Sequence, residues 1–209
     1  MSAMPSRVFV TGTGTDVGKT VVCALLLAGR GGSYWKPVQS GVDQGTDTGA
    51  VARMTGLGPE HFLPEAYRLK APLSPHEAAA REGVRIDPAR LGLPLALPDG
   101  PLVVEGAGGA LVPLAPGFLM ADLMAALGLP VVVVAASGLG TINHTLLTLA
   151  ELRRRYIAVA GVVLSGPRNA SNRVAIEDYG EVAVLAEVQP LPNLEPETLR
   201  TAYTQFFAL

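Results

Sequence analysis

The chain has 209 residues, and 49% hydrophobic against only 16% charged side chains excludes a disordered protein. The length fits one domain spanning residues 1–209, long enough to bury a substantial core. Lys+Arg 16 against Asp+Glu 18 leaves a net charge of −2, so no basic field draws nucleic acid as a partner.

The chain enters a strand at Val8-Phe9-Val10, with no apolar signal-peptide run before it. A helix follows from Lys19 to about Gly29, apolar nearly all round and therefore buried. Cys23 lies inside it and reads as a core residue. As the single cysteine it excludes an internal disulfide and fits a reducing cytosol. A second strand is expected near Tyr34-Trp35. Four prolines between Pro59 and Pro75 mark an irregular excursion, followed by a short helix from His76 to Glu82. Then come a strand at Leu102-Val103-Val104, a helix over Ala121–Leu127 stopped by Gly128 and Pro130, and a strand over Val131–Val134. A helix from about Ile142 to Arg155 and a strand over Val159–Leu164 complete the legible pattern. The Arg153-Arg154-Arg155 end suits the negative end of a helix. Continuous apolar strands alternating with helices predict an α/β fold with an open, mostly parallel sheet covered by helices on both faces. The longest apolar run, Leu123–Ala136, has 14 residues, short of the roughly 20 that span a bilayer. No membrane partner and a cytoplasmic location are the expectation.

The strongest motif is Thr11-Gly12-Thr13-Gly14-Thr15-Asp16-Val17-Gly18-Lys19-Thr20, between a strand and a helix. That context is what a phosphate-binding loop needs. Glycines let backbone N–H groups face phosphate oxygens, and the helix N-terminus adds positive partial charge. Lys19 is expected to reach the β- and γ-phosphates and Thr20 to ligate Mg²⁺. The spacing departs from the usual pattern, whose first glycine falls on Thr13 here.

Mg²⁺ beside a nucleotide needs carboxylates. Glu105 ends an apolar strand just before Gly106-Ala107-Gly108-Gly109, and so lies on the ligand edge of an open sheet. Asp47 sits in a polar segment, where helix capping is as good a reading as a metal role. Lys36, in Tyr34-Trp35-Lys36-Pro37-Val38-Gln39-Ser40-Gly41, stands at a strand end on the same edge. It is one of only three lysines among 16 cationic residues, a retention that suits a site needing a compact ammonium.

Together these segments resemble dethiobiotin synthetase. The match includes Gly12–Thr20, Lys36-Pro37-Val38 with Ser40-Gly41, the Asp47 segment, Ser74-Pro75-His76, Val104–Gly109 with Pro113-Leu114, and Leu139–His144. It runs in order from residue 8 to about 165 and fades beyond. The resemblance implies a homodimer that joins 7,8-diaminopelargonic acid and CO₂ to dethiobiotin, with ATP as co-substrate and Mg²⁺ as cofactor. It implies that Asp16, Val17, Gly18, Lys19, Thr20 and Val21 hold the nucleotide with Asp47, Glu105, Gly106, Ala107, Gly108 and Ser165. Lys36 and Lys19 become the catalytic residues; Thr15, Ser40 and Asn143 meet the substrate; Thr20, Asp47 and Glu105 surround Mg²⁺. Asn143 is expected to act across the dimer interface. His76 and His144 have no required step in this chemistry and are expected to cap or pack.

Departures are Gly14 where the family often has Asp, Asp16 where Glu is common, and Ser165 where some members have an adenine-reading Asn. Asn169 or backbone near Pro190 is the substitute expected to read the base. The alternative is a P-loop ATPase switch of the partitioning type, but its signature lysine is replaced by Gly14. An amidotransferase-type ligase needs a glutaminase domain, for which 209 residues leave no room.

Overall fold

A computed structural model describes residues 4–94 and 97–207. Its strands are β1 (Arg7–Gly12), β2 (Ser33–Trp35), β3 (Val38–Ser40), β4 (Phe62–Leu63), β5 (Tyr67–Leu69), β6 (Leu102–Gly109), β7 (Pro113–Ala115), β8 (Phe118–Leu119), β9 (Val131–Ala136), β10 (Val159–Ser165) and β11 (Val184–Val188). Its helices are α1 (Lys19–Arg30), α2 (Asp47–Thr55), α3 (Pro75–Arg81), α4 (Met120–Leu127), α5 (Thr141–Arg154), α6 (Ala170–Gly180) and α7 (Pro196–Phe207). The elements read from the sequence are all present, most within a residue or two of their expected ends, but β6 runs on through the glycines to Gly109 instead of ending at Val104. The elements not foreseen include α2, α6, β11 and α7.

Seven strands form one parallel sheet in the order β11-β10-β9-β1-β6-β2-β4. Alternation along the strands builds two cores. Val8, Val10, Val103, Val132, Val134 and Val163 face one side, packing against the apolar face of α1 together with Leu199 and Ala202 of α7. Phe9, Val104, Val131, Val133 and Val162 face the other, against residues of α4, α5 and α6. The first side admits α7 closely: a Cβ on Gly29 would lie 1.9 Å from the Tyr203 ring. Among the described residues no helix is long and apolar enough to cross a membrane.

Parallel pairing has a consequence for chemistry. The C-terminal ends of β1, β2 and β6 emerge on one edge, so the Gly12–Gly18 loop, Lys36 and Glu105 come together there.

Candidate active site

The loop after β1 turns sharply into α1. Gly18 has φ 96°, and a Cβ there would lie 2.5 Å from Ser165 Oγ. Asp16 takes a left-handed φ of 57°, a conformation that Asp tolerates better than bulkier residues. A side chain at Gly14 would meet nothing within 4 Å, so the Asp common in the resembling family is absent here without any steric demand. Lys19 bends back across the loop and donates to Gly14 O at 2.9 Å. Burial, followed by the positive charge of Lys36, lowers its pKa.

Lys36 lies between β2 and β3, and only 3% of it is exposed. Its Nζ is 2.6 Å from Asp47 Oδ2 and 3.1 Å from Glu105 Oε1, and it donates to Gly106 O at 3.0 Å. Burial works against the charged form, but Glu105 and Asp47 outweigh it and the pKa is raised. Thr20 Oγ1 is 3.2 Å from Asp47 Oδ1 and 3.1 Å from Glu105 Oε1, and its single proton serves one of them at a time. Asp47 is not the cap of α2: that place is taken by Thr46, whose side chain accepts from Gly49 N at 3.0 Å. Asp47 is the next residue, and its carboxylate faces Lys36 and Thr20.

Glu105 is 1% exposed, and its second oxygen is also engaged, accepting from the Tyr34 hydroxyl at 2.9 Å. Burial, then the nearby Glu105 charge, pushes the Tyr34 pKa well up, and the same two causes raise that of Cys23. Both side chains therefore stay protonated, and Tyr34 is the donor beneath the carboxylate.

The hydroxyl of Thr20 and the carboxylates of Asp47 and Glu105 form a hard-oxygen set that fits Mg²⁺. Among the described residues no cluster of three or more His, Cys, Asp or Glu side chains supplies a full protein cage. Two carboxylates and a hydroxyl suit a cation that completes its shell with phosphate oxygens and water.

These groups open into a cleft of about 930 Å³. It brings together Thr15, Asp16, Gly18, Lys19, Thr20, Val21, Lys36, Ser40, Asp47, Glu105, Ala107 and Gly108 of the expected set. Val17 instead packs toward the core beside α1, and Gly106 contributes its carbonyl to Lys36. Ser165 closes over Gly18 from the end of β10. Asn143 is exposed on the first turn of α5 and does not line the cleft. Ser40 lines the cleft, and its Oγ is buried with no hydrogen-bond partner among the described residues.

Several roles expected elsewhere change. Asn169 caps α6, its Oδ1 accepting from Asn172 N at 3.1 Å and from Ser171 Oγ at 2.9 Å, so its carbonyl oxygen is not free to read a base. His76 pairs with Ser74 Oγ at 3.1 Å. His144 does not pack into the core: it is exposed and lines a smaller cavity of about 420 Å³ between the loop and α5. Tyr34 and Gln39, both buried at the site, were not singled out from the sequence.

Comparison with known proteins decides the family. A family model described as an AAA domain matches residues 6–198. The ATP-dependent dethiobiotin synthetase BioD of Paramagnetospirillum magneticum is 56% identical over 192 residues, covering 92% of both chains. That of Agrobacterium fabrum is 50% identical, covering 99% of this chain and 96% of its own.

The chain belongs to the dethiobiotin synthetase family.

The likeness does not fade near residue 165, since the second alignment takes in nearly the whole chain. The dethiobiotin synthetase unit also occurs within longer proteins: the biotin biosynthesis bifunctional protein BioCD of Bordetella avium is 49% identical over 93% of this chain but only 42% of its own length. A ParA family ATPase from Chlorobium tepidum superposes with TM-score 0.52 at 9% identity, covering 98% of this chain and 91% of its own. That likeness is one of fold alone, and lends the switch reading nothing beyond a shared architecture.

Proposed function

We propose that the chain is an ATP-dependent dethiobiotin synthetase. It carboxylates 7,8-diaminopelargonic acid with CO₂ and closes the ureido ring, releasing ADP and phosphate. The observation that carries this reading is the Lys36 ammonium, buried between Asp47 and Glu105 beside the phosphate loop. With Lys19 it supports a reading in which two cations hold the transferred phosphate charge.

The steps follow from that placement. One amine of the substrate attacks CO₂, giving a carbamate and a proton. Thr15 and the unpartnered Ser40 hydroxyl orient this end of the substrate. A carbamate oxygen attacks the γ-phosphorus, the bond to ADP breaks, and a carbamic–phosphoric anhydride forms. Lys36 and Lys19 stabilise the charge that spreads over the phosphoryl oxygens, so catalysis is mainly positioning and electrostatics. The second amine attacks the anhydride carbon, loses its proton, and expels phosphate. Thr20, Asp47 and Glu105 would hold Mg²⁺, which would supply charge neutralisation for the nucleotide's phosphates. Asp16 to Val21 and Glu105 to Gly108 hold the nucleotide, with Ser165 beside the base.

Asn143 lies outside the cleft of its own chain, and its exposed place at the start of α5 suits contact with the substrate carboxylate in a partner copy. This makes the working unit a homodimer. Light scattering that finds a monomer at assay concentrations would remove that part of the reading.

The reaction itself is tested by incubating the protein with Mg·ATP, bicarbonate and 7,8-diaminopelargonic acid, with mass spectrometry as readout. Diamine- and nucleotide-dependent dethiobiotin is the expected product. No dethiobiotin with ATP, CTP or GTP would refute the proposal.

A further inference from the structure

Tyr34 lies beside Val103 in the β2–β6 register, two residues before Glu105 on the same face of the sheet. From there its ring runs along β6 toward the ligand edge, packed edge-to-face on Phe62 at 6.1 Å. Its hydroxyl ends 2.9 Å from Glu105 Oε2. Oε1 of the same carboxylate receives Lys36 and lies 3.1 Å from Thr20 Oγ1. The two oxygens thus have separate partners, one on the protein side and one on the ligand side.

We propose that Tyr34 is a positioning residue for Glu105: its hydroxyl holds Oε2 so that Oε1 alone is presented to Thr20, Lys36 and the nucleotide-bound Mg²⁺. This rests on the functional reading above. A carboxylate tethered at one end cannot turn about its terminal torsion, and Mg²⁺ demands near-ideal octahedral geometry. Partners that orient a metal's ligands commonly matter about 10–100-fold in metal affinity. Packing alone does not call for the hydroxyl, since phenylalanine would fill the same space against Phe62.

The test measures binding without turnover. Isothermal titration gives the affinity for ADP with Mn²⁺ and for ADP in EDTA; their ratio is the metal-dependent gain. Tyr34→Phe is expected to shrink this gain about tenfold and leave the affinity in EDTA unchanged. In a Glu105→Gln background the same change is expected to shrink it no further. A gain preserved in Tyr34→Phe, or lowered equally in the Glu105→Gln background, would overturn the proposal. Absence of any gain in the unmodified protein would overturn the metal assignment and this inference with it. Should Tyr34→Phe fail to fold, 3-fluorotyrosine at position 34 serves instead. Its ¹⁹F resonance is expected to move with Mg·ADP and not with ADP in EDTA, and an unmoved resonance refutes the role.

Discussion

Gln39 Oε1 accepts a hydrogen bond from Asp47 N at 2.9 Å, while Gln39 Nε2 donates to Ser40 O at 2.7 Å. One buried amide thus joins the strand bearing Ser40 to the first turn of α2, and satisfies a helix N-terminal donor that has no partner within the helix. Asp47 keeps its carboxylate for Lys36 and Thr20. Gln39→Ala removes this tether and leaves the Asp47 N–H without its partner. The expected result is a loss of about 1 kcal/mol in stability. A rise of about tenfold in KM for Mg·ATP should accompany it. Chemical denaturation and steady-state kinetics check both; an unchanged KM would show that Asp47 needs no such tether.

Lys36→Ala removes the cation that buried Glu105 and half-buried Asp47 share. Turnover is expected to fall by at least about 10²–10³-fold, the scale of losing one transition-state charge stabiliser. The fold is expected to survive, but with a cost of about 3 kcal/mol, because Glu105 is left buried and uncompensated. Because the Lys36 pKa is raised, its charge contributes stability in full at neutral pH. That contribution is lost only as pH rises above the ordinary lysine value of 10.5 and through the folded one. Mg²⁺ alone is expected to raise the melting temperature of the Ala variant more than that of the unmodified protein, since a new cation would relieve the same carboxylates. Equal Mg²⁺ responses, or near-normal dethiobiotin formation, would remove Lys36 from its central place.

Lys19 behaves in the opposite sense. Burial and the Lys36 charge lower its pKa below 10.5, and a phosphate in the loop favours its charged form. Between the free and nucleotide-bound values, binding must take up protons. Calorimetry of ADP binding followed upward through the alkaline range below 10.5, in two buffers of different ionisation enthalpy, is expected to reveal this uptake. Lys19→Arg, which cannot deprotonate in this range, should abolish it. Uptake that persists in that variant would place the proton elsewhere.

The sequence carried the site unevenly. Lys19 and Thr20 were legible because loop spacing alone defines their roles. Lys36 and Glu105 were legible because strand ends share one edge in a parallel sheet. Tyr34 and Gln39 were not, since their partners are fixed by the pairing of β2 with β6 and by the docking of α2, which no single-strand pattern encodes. Asp47 stayed ambiguous until Thr46 proved to be the cap. Beyond residue 165, β11 is an edge strand interrupted by Glu187, whose carboxylate pairs with Arg173, so it lacks the continuous apolar run of its neighbours. A usable signal for α7 was present in Leu199, Ala202 and Phe206, which recur at helical spacing on its buried face.

On the proposed function, base choice turns on the end of β10. Ser165 stands against Gly18 with a short hydroxyl, which offers less than the paired donor and acceptor of an amide side chain. Asn169 cannot replace it with its own oxygen, which caps α6. The remaining reader expected from the sequence is backbone around Pro190, in the segment after β11, and backbone reads base edges weakly without side-chain support. Discrimination between ATP, CTP and GTP in kcat/KM is therefore expected to stay within about 10²-fold, the range reached without a dedicated buried hydrogen-bonding pair. Ser165→Asn is expected to raise ATP preference about tenfold, provided the longer side chain turns away from Gly18, where an added Cβ would already lie 3.2 Å from Ser165 Cβ. Rates with the three nucleotides, for both proteins, decide the matter. A preference for ATP beyond about 10⁴-fold in the unmodified chain would mean that other groups read adenine and that Ser165 is a bystander.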